Sequence, residues 1–442
     1  MKILMGKKAT QDYLNKIRTN SYSSISSDGN GYFSKTYELE QYIGKIIELT
    51  KKKGDDFLVE ISSKIDGVPF GGIKVQKNIL DESVSQISNK EKEVILNTIE
   101  RVKLFQSKTL SKSWFDEEKG YGEYVRPIES VGCYIPSGSA PLISTIIMTV
   151  VPAKIAGVKR IAVSSPTPGN QNPNKYLLAT AKLCGVDEFY TYGGPQAITA
   201  MAYGTETIPR VDLICGPGNI FVMNAKKQVY GDVGVDGIFG PTETLIICDQ
   251  SSNIDFVVSD LMAQAEHDVL ALPIVITNQM DLANSINSLY LEKLSSLDRK
   301  DIIKKSMERG FISIINEEEE MVEVANLIAA EHTTIPSENL IHLSKKINSS
   351  GSLFLGEISS EVLADYVAGP SHVMPTNGSA RYSSSLSTRT FTKNIPVLSI
   401  DKEEFDKICE DGELLASLES LDAHKNALTV RKNFFTGELN EY

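Results

Sequence analysis

The sequence predicts an α/β protein made of two doubly wound, incomplete Rossmann-like domains, with small helical or extended appendages at the N- and C-termini. Three observations predict this class. Short apolar runs alternate with helix-length stretches of helical periodicity. The alternation occurs in two separate blocks of the chain. Glycine stands where strands of the first block stop, as in tight turns from a strand into a helix. Parallel strands joined by right-handed crossovers account for this pattern.

The 442 residues suffice for two or three domains with a large core. We expect an N-terminal arm over residues 1–35, because this segment is polar and rich in serine and glycine. A first α/β domain is expected from residues 36–130 together with 241–383, and a second, inserted α/β domain from 131–240. Residues 384–442 are expected to form a C-terminal appendage that docks on a partner subunit.

The predicted elements follow in order along the chain. Helical periodicity in the N-terminal region predicts helices over 36–53 and 90–106. The inserted domain is predicted to alternate strands at 131–136, 159–165, 189–192 and 211–215 with helices up to 157 and over 175–183, 196–203 and 221–230. The other block is predicted to contain strands at 244–248, 273–277, 311–315, 340–343 and 352–355, with helices ending near 268 and spanning 317–330. Further helices are predicted within 403–424.

Composition excludes several classes of protein. The formal net charge of −12, without a long basic run, argues against nucleic acid or anionic membrane as a partner. The longest apolar run, 141–156, is interrupted and too short to span a bilayer, and the first residues lack a secretory apolar region. The five scattered cysteines include no C-x-x-C pair, which suits a reducing cytosol. We therefore expect a soluble cytoplasmic protein.

One predicted helix carries a candidate metal site. Gln264 and His267 are three residues apart and project from the same side of that helix. An amide oxygen beside an imidazole nitrogen can supply half of a divalent metal site. Such a pair is also common on an ordinary polar helix face, so the rest of the chain must decide.

Histidines and acidic residues recur together elsewhere. A mixed site of Gln264, His267, Asp365 and His424 would bind zinc without thiolates and leave positions open for a substrate. His332 has a side chain that can take a proton from an alcohol near neutral pH, and the adjacent Glu331 could activate water. The alternative for Glu331 and His332 is a solvated helix terminus, where histidine complements the helix dipole.

Two glycine turns are candidate anion sites. The segments 193–196 and 216–219 follow predicted strands and expose backbone N–H groups at the start of a helix. They could equally be simple strand-to-helix turns. No G-x-G-x-x-G motif follows a strand, so a dinucleotide would have to be held differently.

These motifs together resemble the histidinol dehydrogenase family. They are Gln-Ala-Glu-His at 264–267, Ala-Glu-His at 330–332, Asp-Tyr at 365–366 with His-Val-Met-Pro-Thr at 372–376, and Ala-His-Lys-Asn-Ala at 423–427. Gly-Pro-Gln-Ala at 194–197, Gly-Pro-Gly-Asn at 216–219 and Gly-Pro-Thr-Glu at 240–243 add to the likeness. The similarity runs from about residue 134 to residue 430.

The resemblance implies a homodimeric enzyme with shared active sites and one Zn²⁺ per subunit. It would oxidise L-histidinol to L-histidine with two NAD, through a bound aldehyde, as the last step of histidine biosynthesis. By position, the zinc ligands would be Gln264, His267, Asp365 and the His424 of a second copy. Glu331 and His332 would be the acid/base pair. Substrate contacts would come from the zinc ligands and from Thr242, His332, His372 and Glu419, and NAD contacts from Tyr134, Gln196 and Asn219.

Three departures from the family pattern leave alternatives open. Thr242 stands where the family usually has serine, Ser371 where it usually has asparagine, and residues 135–138 read Ile-Pro-Ser-Gly rather than Pro-Gly-Gly. A related zinc- and NAD-dependent dehydrogenase of another small polar alcohol is therefore the first alternative. A zinc hydrolase that uses Glu331 to activate water, and a protein without enzymatic activity, are the others.

Overall fold

The computed structural model describes residues 1–23, 38–65, 72–137, 140–167 and 173–436. The chain divides into two compact units. The first comprises Met1–Leu110 and Ile128–Phe391, and the second comprises Ser111–Pro127 and Thr392–Tyr442. Across the described ranges, no helix combines the length and the apolar character needed to cross a bilayer.

The strands, in chain order, are β1 Lys2–Met5, β2 Trp114–Asp116, β3 Tyr121–Pro127, β4 Ser130–Tyr134, β5 Arg160–Ser164, β6 Glu188–Tyr190, β7 Leu213–Cys215, β8 Gly234–Val235, β9 Glu243–Ile247, β10 Leu272–Thr277, β11 Phe311–Ile314, β12 His332–Ile335, β13 Ser352–Leu355 and β14 Thr392–Leu398. The α-helices are α1 Gly6–Ser23, α2 Leu39–Ile65, α3 Lys77–Glu82, α4 Asn89–Thr109, α5 Ile143–Ala156, α6 Lys175–Cys184, α7 Gly194–Tyr203, α8 Ile220–Val229, α9 Ile254–Ala265, α10 Met280–Leu294, α11 Lys300–Arg309, α12 Glu318–Ile328, α13 Glu361–Tyr366, α14 Lys402–Leu418 and α15 Asp422–Thr436.

One parallel sheet in the first unit has the order β6-β5-β4-β7-β8. The strand order reverses between β4 and β7, which lie side by side with Cys133 opposite Cys215. The central strands β5, β4 and β7 are largely buried because helices cover the sheet; α5, for example, buries most of its residues. A crevice is expected beyond the carboxyl ends of the strands at the reversal.

The other parallel sheet of this unit has the order β1-β11-β10-β9-β12-β13. Every residue of β9 and β10 is buried, as expected for strands covered on both faces. Here the strand order reverses on either side of β9, with β10 on one side and β12 on the other. The predicted α/β class with parallel sheets is confirmed.

Two local predictions differ from the structure. The first part of segment 1–35, expected to be an arm, contains β1, which pairs with β11, and α1, whose Leu14 is buried. The short run Ile3-Leu4-Met5 is enough for an edge strand; residues 24–37 lie outside the described ranges. The strand predicted at 340–343 is wrong: Ile341–Lys346 is a 3₁₀ helix, favoured by local bonds such as Leu343 N–H to the Leu340 carbonyl.

The second unit contains an antiparallel sheet of order β14-β3-β2 and the helices α14 and α15. Ser420, with a φ of 58°, lies in the turn that joins the two helices. Several large apolar side chains of this unit are exposed, including Leu398, Leu414, Leu418 and Phe434. These four side chains come from β14, α14 and α15.

Candidate active site

The predicted catalytic residues converge at the amino-terminal edge of the six-stranded sheet. Thr242 immediately precedes β9, and Glu331 immediately precedes the neighbouring strand β12, which begins with His332. Helix α9 runs back to this edge and ends next to Gln264, while the short helix α13 carries Asp365. The site is therefore assembled from four segments that are distant in sequence.

Hydrogen bonds connect these side chains. The Thr242 hydroxyl lies 2.5 Å from Glu331 Oε2 and 3.1 Å from Gln264 Oε1. The backbone N–H of Glu243 also donates to Glu331 Oε2, at 3.2 Å. The Gln264 amide in turn donates to Asp365 Oδ2 at 3.3 Å. Glu331 and Asp365 thus belong to one polar network.

His332 lies between the two carboxylates of this network. Its Nδ1 is 3.7 Å from Glu331 Oε2, and its Nε2 is 3.5 Å from Asp365 Oδ1. Both distances exceed an ordinary hydrogen bond, and neither buried nitrogen has a hydrogen-bond partner in the described structure. The imidazole stacks on the Phe354 ring, with 5.8 Å between centroids. A substrate hydroxyl could therefore form a hydrogen bond with a ring nitrogen of His332.

Burial and charge control protonation in the site. Burial raises the pKa of Glu331 to about 7, although the His332 charge opposes this shift. Burial disfavours a charged His332, but the carboxylates of Glu331, Asp365 and Glu361 outweigh it and raise the imidazole pKa to about 10. Burial would also raise the pKa of Asp365, but the neighbouring His332 outweighs burial and lowers it below its usual range. The site without a metal therefore favours an imidazolium beside carboxylates.

His372 links the residues predicted to bind substrate to the other sheet. Its Nδ1 is 2.8 Å from the Asp365 carbonyl oxygen, and its Nε2 is 3.2 Å from the hydroxyl of Thr145, in the first turn of α5. Burial lowers the pKa of His372, which favours the neutral ring. Because α5 follows β4, this contact joins the amino edge of one sheet to the carboxyl end of the other.

Glu361 is a buried acid that sequence reasoning missed. It is 0% exposed, and its Oε2 accepts a 2.8 Å hydrogen bond from Thr244, the residue paired with His332 across β9 and β12. Its Oε1 has no hydrogen-bond partner in the described structure, and burial raises its pKa to about 8. Its spacing of four residues from Asp365 places both on one helix face, which is the signal that could have identified it.

The donors in the first unit suit a borderline divalent cation. Gln264 and Asp365 supply oxygen atoms, and His267 supplies nitrogen. The His267 Nδ1 lies 3.1 Å from the Ala263 carbonyl oxygen, the arrangement that orients metal-binding histidines and leaves Nε2 for the ion. Within the described residues, no group of three histidine, cysteine, aspartate or glutamate side chains could hold a metal. The zinc ligands predicted from the sequence are not such a group, because they include the Gln264 amide and the His424 of a second copy.

His424 and Glu419 belong to the second unit. His424 is in α15, Glu419 follows α14, and both side chains are exposed. Of the substrate residues predicted from the sequence, the first unit brings five together with Glu331: Thr242, Gln264, His332, Asp365 and His372. His267 follows α9, three residues after Gln264.

The residues predicted to contact NAD lie at the carboxyl ends of the five-stranded sheet. Tyr134 ends β4, Gln196 is in the first turn of α7, and Asn219 caps α8 just after β7. The Tyr134 hydroxyl accepts a 3.1 Å hydrogen bond from the backbone N–H of Gly194. The buried Gln196 Oε1 has no hydrogen-bond partner among the described residues, so it can accept one from a ligand. These positions fit a polar cofactor at the strand-order reversal.

Comparisons with known proteins agree on one family. The profile described as "Histidinol dehydrogenase" matches residues 33–432. A histidinol dehydrogenase of Listeria monocytogenes serotype 4b (strain F2365) is 40% identical over 437 residues, covering 98% of this chain and 99% of the relative. One of Aquifex aeolicus (strain VF5) is 40% identical over 401 residues, covering 90% and 93%. The crystal structure of histidinol dehydrogenase from Elizabethkingia anophelis superposes with a TM-score of 0.89 at 31% identity, covering 99% of both chains.

Proposed function

This chain belongs to the histidinol dehydrogenase family, a family of oxidoreductases, and we propose that it oxidises L-histidinol to L-histidine in histidine biosynthesis. The four-electron oxidation would consume one water and two NAD⁺, and release two NADH and three protons with the carboxylate. The observation that carries this proposal is the buried pair Glu331–His332 next to Asp365 and Gln264. It provides an acid/base pair at a potential metal site, as alcohol oxidation followed by hydration requires.

His332 serves as the base of the first oxidation. It removes the hydroxyl proton as the carbinol hydride leaves for the nicotinamide, which produces the aldehyde. Both ring nitrogens are buried without a hydrogen-bond partner in the described structure, so the substrate hydroxyl meets no competing partner. The stacked Phe354 ring limits rotation of the imidazole.

Glu331 serves as the base of the second oxidation. A carboxyl with a pKa of about 7 takes a proton from water at neutral pH more readily than an exposed glutamate does. As the water oxygen adds to the aldehyde carbon, the protonated His332 returns its proton to the carbonyl oxygen, which gives the hydrate. His332 then removes a hydrate proton while the second hydride leaves for the second NAD⁺. The Thr242 hydroxyl holds the Glu331 carboxylate in position.

Gln264, His267, Asp365 and the His424 of a partner copy would hold Zn²⁺. When bound, the ion would anchor the substrate nitrogens as a template and offset the carboxylate field that favours protonated His332. The exposed position of His424 and the exposed apolar side chains of its unit support a homodimer with shared sites. Glu419, close to His424 in sequence, would approach the substrate from the same partner.

Tyr134, Gln196 and Asn219 would bind NAD. Their support is the position of all three at carboxyl ends of one parallel sheet, together with the unpartnered amide oxygen of Gln196. All five cysteines lie in described parts of the chain and none forms a disulfide, which supports a reducing compartment such as the cytoplasm. The net charge of −12 gives no support to a nucleic acid partner.

A related dehydrogenase of another small polar alcohol is the second candidate. The observation that favours it is the extra methyl group of Thr242 beside Glu331 and Gln264. Ser371 adds nothing to it, because its buried hydroxyl donates to the Met148 carbonyl at 3.1 Å and accepts from the Val373 N–H.

The test is a steady-state assay of the zinc-loaded protein with histidinol and NAD⁺. We expect two NADH for each histidinol consumed, and almost none with His332→Asn. His342→Asn is the matched control, because His342 is an exposed histidine bonded to Glu318. Loaded protein that leaves histidinol untouched refutes the proposal. Turnover of another alcohol then supports the second candidate, and turnover without NAD⁺ supports a hydrolase.

A further inference from the structure

The first unit contains an ion pair that the proposed chemistry does not use. Lys226 and Asp236 form it with side chains only 2% and 1% exposed. Burying both charges costs several kcal/mol per ion, and apolar residues of similar size often stabilise a core equally well. The burial of this pair therefore calls for a role other than stability.

The pair binds both backbone polar groups of one residue, Gly216. Lys226 Nζ donates to the Gly216 carbonyl at 3.0 Å, and Asp236 Oδ2 accepts from the Gly216 N–H at 2.8 Å. The Lys226 ammonium also lies over the Phe239 ring, 5.3 Å from its centroid. Lys226 comes from the helix that follows the turn, and Asp236 comes directly after β8. Two separate elements thus hold Gly216.

The backbone conformation of Gly216 is one that contacts from neighbouring residues must stabilise. Its φ of 112° is one that L side chains rarely adopt, and a Cβ there would lie 2.1 Å from the Tyr134 carbonyl oxygen. The turn 216–219 therefore packs directly on the backbone of Tyr134 and leads to Asn219. Because glycine has many accessible backbone conformations, contacts with other residues must fix the one that Gly216 adopts here.

From these contacts we infer that Lys226 and Asp236 are positioning residues for dinucleotide binding. They keep the turn 216–219 against the Tyr134 backbone, so that Asn219 holds a fixed position at the strand ends where NAD would bind. Because both side chains are buried, the pair itself would not touch the cofactor. This inference rests on the proposed function, because it concerns the site in which NAD would bind.

The test compares two double variants by direct titration of NADH, without histidinol or zinc. Lys226→Met with Asp236→Asn removes both buried charges at nearly constant shape. Arg160→Met with Glu188→Gln is the control, because this half-buried pair, 2.8 Å apart, lies at the opposite, amino-terminal end of the same sheet. We expect about tenfold weaker NADH binding in the first variant only, since the turn loses a charged donor and a charged acceptor.

Kinetics separate positioning from simple structural loss. With the Lys226/Asp236 variant, KM for NAD⁺ should rise about tenfold, while kcat at saturating NAD⁺ and the affinity for histidinol should change less than about twofold. Asp236→Glu keeps the ion pair but moves the carboxylate by one methylene, so it carries the same test if the double variant does not fold. Unchanged NADH affinity in a folded variant overturns the inference alone. Wild-type protein that binds no NADH overturns both the inference and the NAD-dependent function.

Discussion

The Thr242 hydroxyl lies 2.5 Å from Glu331 Oε2 and can serve this carboxyl group as donor or as acceptor. Its single proton cannot satisfy Glu331 and the Gln264 oxygen, 3.1 Å away, at the same time. Ionised Glu331 accepts the proton of Thr242. Protonated Glu331 can donate to Thr242, which then donates to Gln264. Whether Thr242 donates its proton to Glu331 or to Gln264 therefore depends on whether Glu331 is ionised.

Thr242→Val should weaken aldehyde oxidation about tenfold at neutral pH. The ionised Glu331 then loses one hydrogen bond, worth about 1.5 kcal/mol for a charged acceptor, and its pKa rises further. Thr242→Ser retains the hydroxyl and should stay within about twofold of wild type. The measurement is kcat/KM for histidinal between pH 6 and pH 9. Identical pH profiles for the valine variant and wild type would contradict this role.

Glu331→Gln should impair aldehyde oxidation by about 10²–10⁴-fold and spare the alcohol step, because only the second oxidation needs an activated water. His332→Asn should impair both steps, because His332 takes the proton in each. Separate assays on histidinol and histidinal, with single-turnover counting of NADH, distinguish the two. Wild-type rates for either variant on both substrates would refute the assigned roles.

Glu361→Gln should stabilise the metal-free protein increasingly as the pH rises. Burial raises the pKa of Glu361 from 4.5 to about 8. Between these values the unfolded chain has released the proton and the folded chain retains it, so the free energy of unfolding falls with rising pH. This single group contributes a slope of at most about 1.4 kcal/mol per pH unit. The glutamine variant lacks this slope.

Denaturant unfolding from pH 5 to pH 9 measures the effect. The difference between Glu361→Gln and wild type should grow up to about pH 8 and then level off. Glu357→Gln is the control, because Glu357 is an exposed glutamate four residues earlier. A constant difference across the range would show that Glu361 does not retain its proton.

Mixed dimers test the proposed sharing of His424. Subunits with His424→Ala and subunits with His332→Asn should each be inactive alone. After unfolding and refolding together, about a quarter of the sites should combine an intact His332 with an intact His424 from the other subunit. Activity should return to about that fraction of wild type. If His424 acts within its own chain, mixing restores nothing.

Much of the site could be predicted from the sequence because its reactive residues occur in short segments. Adjacent residues must share a neighbourhood, so Glu331 and His332 could be assigned together. Residues three apart on a helix share a face, so Gln264 and His267 formed a pair. The resemblance to the family then indicated which distant residues join these pairs in the site.

Other features escaped sequence reasoning because they depend on long-range packing. Glu361 looks like an ordinary acid at a helix start, and only the fold buries it beside Thr244. The apolar run at Ile3 is too short to predict a strand, and only its pairing with β11 in the folded protein makes it one. Residues 340–343 have strand-like composition, but local hydrogen bonds favour a 3₁₀ helix.

By itself, the amino-acid sequence determined the fold class, the family and the inventory of reactive groups, since periodicity and motif spacing act over a few residues. Tertiary structure alone decided that the acid/base pair stands at the amino edge of one sheet, and that the turn 216–219 is held by a buried ion pair at the carboxyl end of the other. Both outcomes depend on which distant segments pack together and which charges they remove from water.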